Sequence, residues 1–232
     1  MNIKIWLIAV GCFTALQAVA EPTCKLDLKK DPYYRLELTV SSTFCKSGAN
    51  KNDPSCKEFP KEGVVQLHGL WPNYSHGYPT GVCSSSECPT RATYCEYPSP
   101  PNLYESDSWK NMNGYMAGLE KCLERHEWVK HGICSPMNAP TYFEWSLTKA
   151  KQISEAVAPY VDKNISRKDF NKLVADKLPD INGAVRLKCS GQNLLSWSVF
   201  YQWGDTPQEV ISTTSKQNSF GNCKKTFRIP SK

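Results

Sequence analysis

The sequence predicts an α+β fold, a central antiparallel sheet with packed helices, held by disulfides. Alternating apolar residues mark strands near the start and again after residue 183, while helical patterning fills the stretch between. Strands gathered at both ends of a chain, rather than alternating one by one with helices, argue against a parallel doubly wound sheet. Ten cysteines beyond residue 20 supply the third observation, because an even number in an exported chain forms a disulfide framework.

Export is read from the first twenty residues. Lys4 precedes an apolar run from Ile5 to Leu16, and Ala18-Val19-Ala20 before Glu21 fits a small-residue cleavage site. The pattern predicts a signal peptide over 1–20 and a periplasmic or secreted mature chain. A membrane anchor would need about 20 apolar residues, more than this run provides, and no later segment is apolar enough to span a bilayer. Residues 21–232 show no internal repeat, linker or low-complexity block, so one domain is expected. The formal charge of +6 drops by one when Lys4 leaves. A mildly basic chain suits a polyanionic partner without identifying one.

In chain order, Tyr34, Leu36, Leu38 and Val40 alternate with Arg35, Glu37 and Thr39, the period of a half-buried strand. Residues 46–61 are polar and turn-rich, a loop pinned by Cys45 and Cys56. "VVQLHGLW", 64–71, reads as a second, interior strand stopped by Pro72. From Pro72 to Pro101 the density of Pro, Gly, Ser and Cys precludes long regular structure. Residues 108–132 support one or two helices, with Gly132 as the C-terminal stop. Residues 139–161 support another, and 166–178 a third with Ser166 and Asp169 as its N-terminal capping pair. Short β-rich segments follow at 183–189, 194–203, 209–214 and 224–230.

The cysteines are Cys24, Cys45, Cys56, Cys83, Cys88, Cys95, Cys122, Cys134, Cys189 and Cys223. Their spacings repeat no C-x2-C ligand pattern, so five disulfides are expected in preference to zinc. Spacing alone leaves the connectivity open.

Ionisable chemistry is concentrated in "HEWVKHGIC", 126–134. Two histidines flanking a glutamate suggest a zinc helix, but that motif needs them four residues apart. His126 and His131 are five apart, which turns their side chains about 140° from each other on a helix. The pairs that align at i,i+4 are His126 with Lys130 and Glu127 with His131. Four polar groups then share one broad face, with Trp128 and Val129 turned away to pack. A cationic face carrying one carboxylate suits an anionic reaction centre.

A second concentration is "QLHGLWPNY", 66–74, with His68 at a strand end, Gly69 beside it to let a ligand approach the backbone, and Trp71 next to Pro72. A lone histidine there is usually structural; paired with the 126–134 segment it becomes a candidate for catalysis. Two histidines from different elements, with a lysine and a carboxylate, meet the needs of phosphodiester transfer without a metal. One imidazole removes a ribose 2′-hydroxyl proton, the other protonates the departing 5′-oxygen, and fixed cations and donors stabilise the charge building on the phosphorane oxygens.

"HGLWPNY" and "HEWVKHGIC" together resemble the two active-site segments of the ribonuclease T2 family, over nearly their whole length and in the right order. The resemblance extends from Tyr33 to Cys223, and "CLERHEWVKHGIC" is similar to the Gram-negative periplasmic branch. It implies His131 as general base and His68 as general acid in the first step, with roles exchanged in the second. It implies Glu127 and Lys130 as stabilisers of the transition state and His126 as the phosphate holder. The products implied are 2′,3′-cyclic phosphates and then 3′-phosphates, from RNA of little base preference, by a monomer with no cofactor, metal or obligate protein partner.

By the same resemblance Trp71 contributes to base binding, where an indole face can stack on any base. Asn73 stands where relatives carry Asp, so the base preference is open. Tyr74 and Tyr78 are further stacking candidates, and His76 is a solvated loop residue. Relatives often carry Trp-Pro where this chain has Val40-Ser41. Family analogy pairs Cys189 with Cys223, and Cys134 with a cysteine of the 83–95 excursion. Two other classes compete: an exported binding module without activity, which would tolerate loss of an imidazole, and a zinc hydrolase, which the histidine spacing opposes.

Overall fold

The computed structural model of the chain describes residues 24–46, 48, 50–58, 62–79, 94–212 and 219–231. The expected signal peptide, Cys83 and Cys88 lie outside the described residues. Among the described residues six strands, β1 (Tyr33–Thr39), β2 (Gln66–Asn73), β3 (Asn164–Ser166), β4 (Val185–Ser190), β5 (Asn193–Gln202) and β6 (Thr226–Arg228), form one sheet. Its order is β2-β1-β5-β6-β3, with β4 also on β5. Among the described residues every pairing between these strands is antiparallel except the contact of β5 with β6, which is parallel through Asn193 and Arg228. The fold is α+β as expected, and that one contact makes the sheet mixed.

The helices are α1 (Ser41–Lys46), α2 (Asp107–Tyr115), α3 (Leu123–Lys130), α4 (Ala139–Val157) and α5 (Arg167–Lys177). On α4 the buried residues Ala139, Tyr142, Phe143, Ser146, Leu147, Ala150, Ile153 and Val157 recur every three or four positions, one face of a helix. They meet Leu36 and Leu38 of β1, Leu67 and Leu70 of β2, and Trp197 and Val199 of β5 in one core. Fully burying each large side chain contributes about 1.5–3 kcal/mol. The Ser166 hydroxyl caps α5 at Asp169 N–H, as the pair predicted.

Several expectations are corrected. β2 is an edge strand, and it runs through Pro72 to Asn73 instead of stopping there. An edge tolerates proline because the missing N–H has no ladder partner on that side. The free edge is closed at Leu70 by Tyr142, whose hydroxyl donates to the Leu70 carbonyl and accepts from the Leu70 N–H. α1 was not anticipated. It begins at the variant Val40-Ser41 position, where Ser41 N–H and hydroxyl both donate to Gln66 Oε1 at 2.9 Å. Of the 209–214 segment only Val210 forms a bridge, to Tyr201, within the described residues.

Four disulfides join described residues: Cys24–Cys134, Cys45–Cys56, Cys95–Cys122 and Cys189–Cys223. The first overturns the expected return of Cys134 to the 83–95 excursion. The N-terminal stretch lies across the end of β2, with Asp27 N–H donating to the Tyr74 hydroxyl at 2.7 Å, and this brings Cys24 to Cys134. The excursion is fastened to α3 at its other end, through Cys95 and Cys122.

Candidate active site

A one-residue bulge delivers His68. Along β1 and β2 the register pairs Glu37 with Gly69 but Leu38 with Leu67, so His68 is the extra residue. Directly opposed residues point to the same face, which places Leu36 with Leu70 and Leu38 with Leu67 toward the core. Unbroken alternation would put His68 on the core side with Leu70. The bulge turns it instead toward the outer face, beside Thr39, Glu37, Arg35 and Trp71, and bulges commonly re-aim a side chain in this way. Thr39 Oγ1 lies 3.5 Å from His68 Nδ1.

α3 carries the second set. Cys122, in the left-handed conformation, starts it, and Lys130 ends it. His131 is the C-cap: its N–H still bonds the Glu127 carbonyl at 3.0 Å, but its backbone has left the helix. The expected broad polar face is therefore divided. Glu127 is buried, Lys130 is exposed, and His126 turns toward Tyr94, whose ring stacks on it at 4.3 Å. Gly132 does follow the helix, but its role is packing. A side chain there would collide with the Trp128 ring.

The two segments meet at Trp71 and Glu127. Trp71 Nε1 donates to Glu127 Oε2 at 2.7 Å, and the other carboxylate oxygen lies 3.6 Å from His68 Nε2. The indole stands 5.2 Å from the His68 ring, edge to face, and 5.2 Å from the His131 ring, nearly parallel. Gly69 leaves room for this junction. A Cβ there would overlap the Glu127 carboxylate, so the space is taken by a protein side chain and not, as expected, by a ligand. His68 and His126 share a cavity of about 250 Å³ with Thr39, Gln66, Tyr94 and Lys121. His126 Nδ1 is buried with no partner among the described residues.

Burial dominates the proton affinities. It raises Glu127 from 4.5 to about 8, against the Trp71 hydrogen bond and the Lys130 charge, with Glu37 adding to the rise. Burial also lowers His126 to about 4, helped by Lys130, His68 and Lys121, and holds His131 well below 6.5, helped by Lys130, His126 and His68. His68 is lowered by the same cause; Glu37 opposes, while Lys121, Arg35 and Lys130 assist. Its side chain keeps 38% exposure, open to an incoming group. Lowered in this way, His68, His126 and His131 are neutral near pH 7, which corrects the expected cationic face.

The remaining candidates do not line the cavity of His68 and His126. Asn73 Nδ2 donates to the Trp71 carbonyl at 3.2 Å. Tyr74 is buried, its hydroxyl held by Asp27 and Lys30 over its ring, so it offers no open stacking face. Tyr78 and His76 are exposed. Sequence reasoning missed Arg35, Glu37 and Tyr94. Glu37 carried a signal only as a charged residue on a strand, and its burial depends on β5.

The described fold is that of a ribonuclease. Solved structures that superpose on it include trichomaglin, an S-like ribonuclease, with TM-score 0.60 and 19% identity over 86% of this chain and 97% of that one. RNase NT, solved with 5′-AMP, gives TM-score 0.60 and 16% identity over 87% and 98%. The Ribonuclease T2 family is matched over residues 31–223, and the chain belongs to that family. It is similar to Ribonuclease I of Escherichia coli (strain K12), 26% identical over 84% of this chain and 85% of that protein. A ribonuclease of Aeromonas hydrophila is 31% identical over a shorter stretch, 46% of this chain and 39% of that protein.

Proposed function

We propose that the protein is an exported, metal-independent endoribonuclease that cleaves RNA by transphosphorylation with little base preference. The observation that carries this reading is the convergence of His68 and His131, from a strand bulge and a helix cap, on either flank of the Trp71–Glu127 junction. His131, kept neutral by burial, takes the proton of the 2′-hydroxyl as O2′ bonds to phosphorus. His68, protonated in the acting form, gives its proton to O5′ as the P–O5′ bond breaks. The roles reverse when water opens the 2′,3′-cyclic phosphate to the 3′-phosphate.

Glu127, protonated at neutral pH because of its burial, can donate to a phosphoryl oxygen, and Lys130 supplies charge at the rim. His126 holds the phosphate as a neutral donor from the wall of the cavity it shares with His68. A bound phosphodiester anion raises the proton affinity of every imidazole nearby, which favours the protonated His68 this step needs. Asn73 borders the base, while the Trp71 indole is engaged by Glu127, His131 and Arg35 and is not offered to a base; RNA is the partner. RNase NT, solved in complex with 5′-AMP, supports a nucleotide ligand for this fold. Residues 1–20 act as the cleaved signal, 21–232 as one monomeric catalytic domain in the periplasm or medium. Among the described residues, no helix is long and apolar enough to cross a membrane.

The test is digestion of the dinucleoside monophosphate ApU by the mature chain in EDTA, with products identified by mass spectrometry. A 2′,3′-cyclic phosphate is expected. Absence of cleavage by folded protein, or cleavage only with added metal, would refute the reading.

A further inference from the structure

Beneath the Trp71 indole lies a charged unit that the chemistry above does not use. Arg35 and Glu37 stand two apart on β1, on the same outer face, opposite Trp71 and Gly69 of β2. Glu37 is buried, and its Oε2 receives Arg35 Nε at 3.0 Å, Arg35 Nη2 at 2.8 Å and the hydroxyl of Ser198 from β5. Arg35 Nε also reaches Ser198 Oγ at 3.2 Å. Three contacts across two strands therefore lock the guanidinium, and its carbon sits 5.1 Å from the Trp71 ring centre. A cation over an indole face is attracted by the ring quadrupole, the more so where water is partly excluded.

We propose that Arg35, braced by Glu37 and Ser198, is a positioning residue that holds the Trp71 indole in the plane where its N–H reaches Glu127. The same plane sets the indole nearly parallel to His131 and edge-on to His68, so one ring orients three groups of the site. Arg35 acts through Trp71. Its loss is expected to slow the chemical step and to leave substrate binding nearly unchanged. The kinetic half of this inference rests on the ribonuclease reading; the spectroscopic half does not.

Removing Arg35 alone would leave Glu37 buried without its cation, a strongly destabilising change. The experiment is therefore the paired variant Arg35→Met with Glu37→Gln, which deletes both charges and keeps both shapes, beside the single variant Arg35→Lys. On ApU the paired variant should lose about threefold to thirtyfold in kcat, the worth of a partly desolvated cation–π contact, with KM within about twofold. Arg35→Lys, which keeps a cation over the ring, should recover part of that loss. The Trp71 indole N–H resonance, assigned by its disappearance in Trp71→Phe, should move in the paired variant and return toward its position in Arg35→Lys.

An unmoved indole resonance would overturn the proposal whatever the activity. A rise in KM with kcat intact would do so as well, because Arg35 would then be touching substrate. A wild-type chain that folds but cleaves no RNA would refute the ribonuclease reading alone, since the resonance would still report whether Arg35 holds Trp71.

Discussion

Gly69 and Glu127 occupy one space: a methyl group at position 69 would overlap the Glu127 carboxylate and stand 2.6 Å from Trp71 Nε1. The smallest side chain on β2 thus decides where the buried carboxylate on α3 can sit. Gly69→Ala must push Glu127 or Trp71 aside. We expect about 1–3 kcal/mol of lost stability from overpacking and about 100-fold lower kcat, as for a misplacement of about 1 Å at a reacting centre. Denaturant melts and ApU kinetics measure the two, and activity within twofold of wild type would show that the junction has slack.

His68→Ala and His131→Ala should each lower kcat by about 100-fold to 10,000-fold, with the circular dichroism spectrum retained. Retention of full RNase activity by either variant would remove that histidine from the proposed mechanism.

The kinetic pH dependence follows from the lowered imidazoles. His68 must be protonated and His131 neutral, and both lie below 6.5 in the free protein. The kcat/KM profile, which reports the free enzyme, should therefore be bell-shaped with its alkaline limb below 6.5. The kcat profile should be displaced upward, since the bound phosphodiester raises both. Superimposable profiles, or an alkaline limb in kcat/KM above 6.5, would contradict this.

Stability should vary with pH in two opposed ways. Glu127 is raised from 4.5 to about 8 in the fold, so the native state holds a proton that the unfolded chain releases. That contribution is complete below 4.5 and is lost as pH rises through about 8. His126 is lowered from 6.5 to about 4, so its contribution is present above 6.5 and is lost as pH falls through about 4. Glu127→Gln should flatten the alkaline side of a Tm-against-pH curve and leave the acid side in place. Parallel curves for wild type and variant would mean that Glu127 is ionised in the native protein.

Reduction should act on the site as well as on the fold. Cys24–Cys134 spans 110 residues and anchors the turn that follows His131, and closing a loop of that length is worth about 4–5 kcal/mol. Cys24→Ser with Cys134→Ser should lower Tm, measurable by calorimetry, and should lower kcat more than KM is raised. An unchanged Tm would show that the N-terminal stretch is held by other contacts.

The sequence by itself determined the α+β class, the period-two pattern of β1, the three longer helical regions, the Ser166 cap and the two candidate active-site segments, because each is written in local spacing or in short motifs. It also implied the Cys189–Cys223 pairing through family resemblance. Only the tertiary structure decided what depends on residues far apart in the chain. The bulge that turns His68 outward is a mismatch between β1 and β2 that neither strand shows alone. The partner of Cys134 depends on where the N-terminal stretch lies, and the place of Pro72 depends on β2 being an edge. The burial that makes Glu127 hold its proton, and the brace of Arg35 by Glu37 and Ser198, arise from strands and a helix that meet only on folding. Local patterns specify which elements form, whereas proton affinity and orientation are set by the neighbours those elements acquire.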